Sequence, residues 1–336
     1  MKVVRELRVP TGEIYLGEGC DGLPVEFLSL ADYGKEANVK ADFMGLTREI
    51  SGVPNGAPMP LSEKWVVTVS TQHGCSMGCR FCDVPKVGPG RNIGLCDLRA
   101  QVVYALSRHT GVARTKRLNV HYARMGEPTF NPNVLCHAAS YLRGDARMFV
   151  EAVTVHPVVS TMMPKANASL GRFLEEWCEL KNCAYAGEAG LQLSINTTDD
   201  ALRERMFSGS SLGLAEISRL AGEFPAPKGR KYALNFALAD GAEVDGRKLA
   251  SMFDPARFMA KLTPLHKTSA ATANGISTTG GYESFVPYKA AEESLKEAGF
   301  DVLVFVPSAD EEDGMITCGN AVLSGKDPSN LEKPAV

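Results

Sequence analysis

The sequence predicts an α/β fold, an open (β/α)6 partial TIM barrel with a small β-rich N-terminal extension and a C-terminal loop carrying Cys318. Three observations predict it. From Lys64 onward, apolar β-rich runs alternate with helix-like segments, and parallel neighbouring strands require such crossovers. Six units of this kind follow one another. Before residue 62 the chain shows only short β-like runs broken by Gly and Pro.

In chain order, the extension (residues 1–62) has β-like runs at Val3–Val9, Glu13–Leu16 and Val25–Leu30, and a loop composition at Ser51–Pro58. The barrel (63–325) takes its strands from Trp65–Ser70, Leu118–Tyr122, Ala152–Val159, Leu191–Ile195, Tyr232–Leu238 and Phe258–Pro264. Its helices fall at Leu98–Ser107, Pro132–Leu142, Leu170–Leu180, Ala201–Phe207, Leu212–Glu223 and Asp245–Met252. A last helix (Tyr288–Ala298) and strand (Val302–Val306) lead into an acidic loop, Asp310–Gly314, ahead of Cys318. Residues 326–336 form a tail. In barrels of this kind chemistry sits at the C-terminal ends of the strands.

Composition narrows the function classes. With 336 residues, 44% of them hydrophobic, the chain can bury a large core. A formal net charge of −3 supplies no global basic field for nucleic acid. No apolar run is long enough to span a bilayer and the first residues lack a signal core, so no membrane is expected. Nine cysteines, an odd count, suit a reducing cytoplasm.

The stretch that organises the chain is His73–Asp83, H-G-C-S-M-G-C-R-F-C-D. Cys75, Cys79 and Cys82 follow the first barrel strand at spacing C-x3-C-x2-C, so one tight loop can hold three corners of a cubane iron–sulfur cluster and leave the fourth iron open. A zinc site would want a fourth Cys or His at matching spacing, and Cys96 brings no second pair. A disulfide framework does not suit a long, cysteine-sparse chain.

With Phe81 before the last cysteine, the loop reads C-x3-C-x-Φ-C and resembles the signature of the radical S-adenosylmethionine (SAM) superfamily. The words around it, in order, resemble the RlmN/Cfr adenosine methyltransferases of ribosomal RNA. They are Val69–Cys82 with Arg91-Asn92, Met125-Gly126-Glu127-Pro128, Val159-Ser160-Thr161, Leu193–Asn196, Leu262–His266 and Thr317-Cys318-Gly319. The resemblance implies a [4Fe–4S] cluster on Cys75, Cys79 and Cys82 that chelates SAM and, fed by a flavodoxin or ferredoxin-type donor, splits it to a 5′-deoxyadenosyl radical. It implies SAM contacts from Gly126, Glu127, Ser160, Ser194, Asn196 and His266, the last standing where the family usually has Asn. Cys318 is implied as the methyl carrier: it takes a methyl from one SAM, the radical from a second removes a hydrogen, and the carbon adds to an adenine ring. The implied partner is a nucleobase in RNA or a nucleotide-like small molecule.

Each word also has a plain reading: a G-E-P is often an ordinary turn, Ser and Asn at strand ends are often caps, and a free Cys is often packed. The chain departs from the family's pattern too. Seven residues before Cys75, where the family has a second cysteine, stands Thr68, whose hydroxyl is too weak an acid to act as a thiolate. Cys96, Cys136, Cys178 and Cys183 are possible substitutes that spacing does not separate. The stretch before Cys318 is acidic, not basic, and Arg108–Arg117, with Arg114, Lys116 and Arg117, is the remaining basic cluster, a solvated loop or a phosphate contact. A radical SAM enzyme that rearranges or couples a small molecule by direct hydrogen abstraction is the alternative, and a non-catalytic iron–sulfur protein a third.

Overall fold

The computed structural model describes residues 1–31, 60–278, 288–307 and 309–329; the loop expected at Ser51–Pro58 lies outside them. Strands β1 (Lys2–Val9), β2 (Gly12–Glu18) and β3 (Pro24–Ala31) form an antiparallel meander, with Leu7 opposite Ile14 and Ile14 opposite Leu28. The third of them pairs antiparallel with β4 (Trp65–Val69), Leu28 opposite Thr68, so the extension forms one edge of the main sheet. A short hairpin, β5 (Gln72–Gly74) and β6 (Pro89–Asn92), which sequence patterning does not announce, makes a separate two-stranded sheet around the cysteine loop.

From β4 onward the pairing turns parallel. β7 (Arg114–Tyr122), β8 (Glu151–Thr161), β9 (Gly190–Ser194), β10 (Tyr232–Leu238), β11 (Phe258–Pro264) and β12 (Asp301–Val304) follow in chain order. The result is a mixed α/β fold on one ten-stranded, mostly parallel sheet, ordered β1-β2-β3-β4-β7-β8-β9-β10-β11-β12. The crossovers are helical: α1 (Leu95–Ser107) before β7; α2 (Asn133–Cys136), a π-turn at His137–Tyr141 and α3 (Leu142–Arg147) before β8; α4 (Leu170–Cys183) before β9. Then come α5 (Asp200–Met206) and α6 (Leu214–Gly222), α7 (Gly246–Ala250), α8 (Ser269–Ala273) with α9 (Lys289–Glu297), and finally α10 (Ala309–Asp313).

Two local expectations are corrected. The basic stretch from Arg114 to Arg117 is not a loop but the start of β7, in register with Glu151–Thr154 of β8. Its cations find carboxylates there: Arg114 lies 3.7 Å from Glu151 and Lys116 2.7 Å from Glu63. The acidic run expected as a loop is helix α10, because acids in a first turn suit the positive end of the helix dipole.

Residues alternate sharply along the parallel strands. In β10, Tyr232, Leu234, Phe236 and Leu238 are buried, while Ala233, Asn235 and Ala237 are only half-buried; β11 repeats the pattern. The buried set joins one core with Leu98 and Val102 of α1, Phe173 and Trp177 of α4, Ile217 of α6 and Leu295 of α9. Period-2 patterning therefore gives the sheet one face packed under helices. The opposite face carries Thr68, His121, Ser160, Gln192, Ser194, Asn235 and Lys261, all half-buried. Among the described residues no helix is long and apolar enough to cross a membrane.

Candidate active site

The end of β4 is anchored before the cysteines begin. Gln101 of α1 brackets Ser70, accepting from its amide at 2.8 Å and donating to its carbonyl at 3.0 Å. Asn131 donates to the carbonyls of Thr71 (2.8 Å) and Ile93 (2.9 Å). The hairpin β5–β6 then sets the start of the loop, with the Cys75 amide donating to Gly88 O at 3.1 Å. Asp83 anchors the loop's far end. It accepts from the Ser269 and Ala270 amides of α8 at 2.9 and 2.8 Å, and from Lys86 at 2.6 Å. Burial alone would raise the Asp83 carboxyl, but these donors hold it below the usual range. The Asp83 amide in turn donates to Gly319 O at 2.8 Å, stitching the cysteine loop to the C-terminal turn.

One cleft of about 110 Å³ gathers Cys75, Cys79, Cys82, Gly126, Glu127, Ser160, Ser194, Asn196 and Cys318. These are all the residues singled out in the sequence except His266. Its imidazole instead lies 2.8 Å from Glu312 of α10, and it is not among the cleft's lining residues. Glu312 also accepts from the Lys267 amide (2.6 Å) and the Thr317 hydroxyl (3.1 Å), so the pair braces the turn that carries Cys318.

The Glu312 brace makes a pH prediction. Burial alone would raise the Glu312 carboxyl, but His266, Lys267 and Thr317 hold it below its ordinary value of 4.5. A carboxyl with a depressed folded-state value stabilises fully above the unfolded value and loses that contribution as pH falls through the folded one. The gap in thermal midpoint between wild type and Glu312→Gln should therefore be constant above the ordinary value and close in acid. A gap that widens as pH falls would count against the brace.

The four cleft thiols share one electrostatic setting. Burial pushes Cys75 up to about 12 and drives Cys79 and Cys82 well above the ordinary thiol range, and neighbouring thiols add to each shift. Three thiols packed this way become thiolates only around a cation. Among the described residues no three His, Cys, Asp or Glu side chains converge as one metal ion requires. A multi-iron cluster asks for thiolates spread around a larger body, and a loop with Cys75 and Cys79 buried and Cys82 half-buried, opening into a cleft, fits that demand. Cys318 opens toward the cleft although protein encloses it. Enclosure raises its thiol, while Arg124 and Lys261 pull it back.

Gly126 occupies a left-handed turn (φ +96°), where a Cβ would stand 2.6 Å from that of Gln72. This close approach lets Gln72 Oε1 accept from the Glu127 amide at 3.1 Å. The Glu127 carboxylate accepts from the Thr129 amide (3.1 Å) and hydroxyl (2.8 Å) and from the Met162 amide (2.8 Å). Burial raises its carboxyl, and among the described residues it forms no salt bridge. Asn196, itself left-handed (φ +66°), accepts from the Ala237 amide at 3.1 Å.

Sequence reasoning missed three contributors. Arg124 lines the cleft and pairs with the wholly buried Glu26 of β3 (Nε to Oε1, 2.8 Å). Arg124 also donates to the Met315 carbonyl (2.9 Å), and Glu26 accepts from the Leu323 amide (3.0 Å). The pair thus joins the extension, the cleft floor and the Cys318 segment. Met162 places its sulfur 3.0 Å from that of Cys79. Asn235 of β10 is the third. Glu26 and Asn235 each left a signal, a lone polar residue inside an apolar run; Arg124 and Met162 left none.

No family model matches the chain. It is 25% identical over 264 residues to the dual-specificity RNA methyltransferase RlmN of Sorangium cellulosum, covering 77% of this chain and 62% of that protein. It is 29% identical over 255 residues to RlmN of Wolinella succinogenes, covering 75% and 62%. The fold superposes on a radical SAM methyltransferase from Sphaerobacter thermophilus with a TM-score of 0.59 and 20% identity, over 95% of this chain and 80% of that one. The chain is similar in sequence to RlmN RNA methyltransferases and shares its fold with a radical SAM methyltransferase. It spans less than two thirds of the length of the two RlmN proteins.

Against that similarity, the cysteines of this chain can be counted. All nine lie within the described residues, and only Cys75, Cys79, Cys82 and Cys318 line the cleft. Cys178 is buried in the α4 core, and Cys96, Cys136 and Cys183 are exposed elsewhere. Thr68 sits within β4, in register with His121. No fifth thiol lines the cleft.

Proposed function

We propose that this chain is a radical SAM enzyme that methylates a nucleobase through methyl-Cys318. In this reading residues 63–325 form the catalytic unit, an open (β/α)6 partial barrel, with 1–62 as its extension and 326–336 as its tail. Cys75, Cys79 and Cys82 would hold the [4Fe–4S] cluster. When bound, the cluster supplies the electron that cleaves SAM to a 5′-deoxyadenosyl radical, drawn from a flavodoxin or ferredoxin-type donor. Glu127, a buried carboxylate with no salt-bridge partner among the described residues, suits the ammonium of SAM, with Gly126 leaving room beside it and Ser160, Ser194 and Asn196 offering polar contacts. His266 serves this site through Glu312, beside the turn that carries Cys318. Cys318, deprotonated, would take the methyl from the sulfonium of one SAM, which leaves as S-adenosylhomocysteine.

The observation that carries the reading is the single cleft holding the three motif cysteines and Cys318 together, although Cys318 lies more than two hundred residues further along the chain. The RNA named for the relatives supports a base in RNA as substrate, with a nucleotide-like small molecule as the alternative partner. The test is peptide mass spectrometry of Cys318 after anaerobic reconstitution with SAM. One added methyl, absent in Cys318→Ala, is expected; an unmodified Cys318 in protein that still makes 5′-deoxyadenosine would sink the carrier role.

A second reading draws on the cysteine count. With Thr68 in β4 and no fifth thiol lining the cleft, release of a covalent base adduct by a second cysteine has no donor at hand. Direct hydrogen abstraction from a small molecule or modified base needs none. Formation of 5′-deoxyadenosine without S-adenosylhomocysteine would favour it.

A further inference from the structure

Strand β10 reads Y-A-L-N-F-A-L, and its half-buried face presents Ala233, Asn235 and Ala237. Two alanines flank one amide, so the amide stands with space along the strand on either side. Asn235 lines the cleft and lies in register with Ser194 of β9 and Lys261 of β11. Its backbone carbonyl is used, accepting from the Ile195 and Asn196 amides at 2.8 and 3.2 Å. Its side chain is not: Oδ1 is buried and, among the described residues, has no hydrogen-bond partner. Leaving a buried acceptor unmade is costly, and such groups are rare enough in folded proteins to call for a partner.

A partner must offer a donor to Oδ1, and if it also offers an acceptor to the neighbouring Nδ2 the amide is fully used. A primary amide sets one acceptor beside one donor. Its complement is an amino group beside a ring nitrogen, the pattern by which Asn reads adenine. We infer that Asn235 is a specificity-determining residue that reads the amino edge of an adenine bound in the cleft. The inference rests on the proposed reading only in taking the cleft to admit an adenine compound. Two such compounds meet there: SAM, which carries an adenine of its own, and a base in RNA.

Binding separates these sources without any turnover. On anaerobically reconstituted protein, dissociation constants are measured for S-adenosylhomocysteine and S-inosylhomocysteine, in which an oxo group replaces the amino group. The same is done for a short single-stranded RNA with one adenine and for its inosine twin. Wild type should prefer adenine by roughly tenfold in one pair, since a bidentate amide contact is worth about 1–3 kcal/mol. Asn235→Ala and the near-isosteric Asn235→Leu should both level that preference. A gap in the first pair assigns the contact to SAM, and a gap in the second assigns it to the substrate base. No gap in either pair, or a gap that survives both substitutions, overturns the inference. Cys318→Ala should keep the gap, so loss of the methyl-carrier reading would leave this result standing.

Discussion

Glu26→Ala should cost roughly 3–5 kcal/mol of stability and free the segment that carries Cys318. Glu26 and Arg124 are both almost wholly buried, and removing one partner leaves the other charge without compensation. More than a charge pair is lost. Glu26 accepts from the amides of Val322 (3.3 Å) and Leu323 (3.0 Å), just past the Cys318 turn. Arg124 donates to the carbonyls of Met315 (2.9 Å) and Thr317 (3.5 Å), just before it. The two side chains therefore grip both flanks of that turn, and β3 supplies the anchor. Urea unfolding should show the lowered midpoint, and iodoacetamide should alkylate Cys318 faster in the variant than in wild type. Replacing Glu26 and Arg124 together by Met should recover part of the midpoint, because an apolar pair avoids the desolvation that a buried ion pair suffers. Alkylation should stay fast, since the four backbone partners remain unmet. An alkylation rate that Glu26→Ala leaves unchanged would show that the turn holds itself.

This clamp marks the limit of what the chain discloses by itself. The cysteine triad is legible because its meaning is local: eight residues carry three thiols, and the strand before them fixes where they go. The parallel strands are legible because one face is sealed by helices, so Tyr232, Leu234 and Phe236 alternate visibly with Ala233 and Asn235. Arg124 and Glu26 are 98 residues apart, and neither position forecasts the other. His266 illustrates the same gap. Its place at a strand end pointed toward the cleft, whereas Glu312 on α10, 46 residues later, takes its imidazole. Asn235 stood in plain view as a lone amide in an apolar run, but only the lack of a partner for Oδ1 among the described residues distinguishes it from an ordinary satisfied asparagine.

Gly74→Ala is expected to abolish stable cluster loading, and Gly78→Ala to spare it. Both glycines lie in the cysteine loop, so sequence position does not separate them. Conformation does. Gly74 adopts φ +77°, and a Cβ there would meet Gly88 O at 2.1 Å, a backbone atom of the loop's other arm. The left-handed backbone alone costs an ordinary residue roughly 1–2 kcal/mol. Relieving the overlap means parting β5 from β6, which would break the bond from the Cys75 amide to Gly88 O. Overpacking typically costs about 1–3 kcal/mol more. Together these exceed the 1.4 kcal/mol that changes an equilibrium roughly tenfold, so cluster occupancy should fall at least that far. At Gly78 a Cβ would meet only the Ser208 side chain, at an ordinary 3.7 Å, and the backbone is not left-handed. Iron and sulfide content after anaerobic reconstitution, with the visible absorbance of the cluster, reads both variants. Equal loading in the two would mean that the hairpin does not set the position of Cys75, and that the spacing of the cysteines alone suffices.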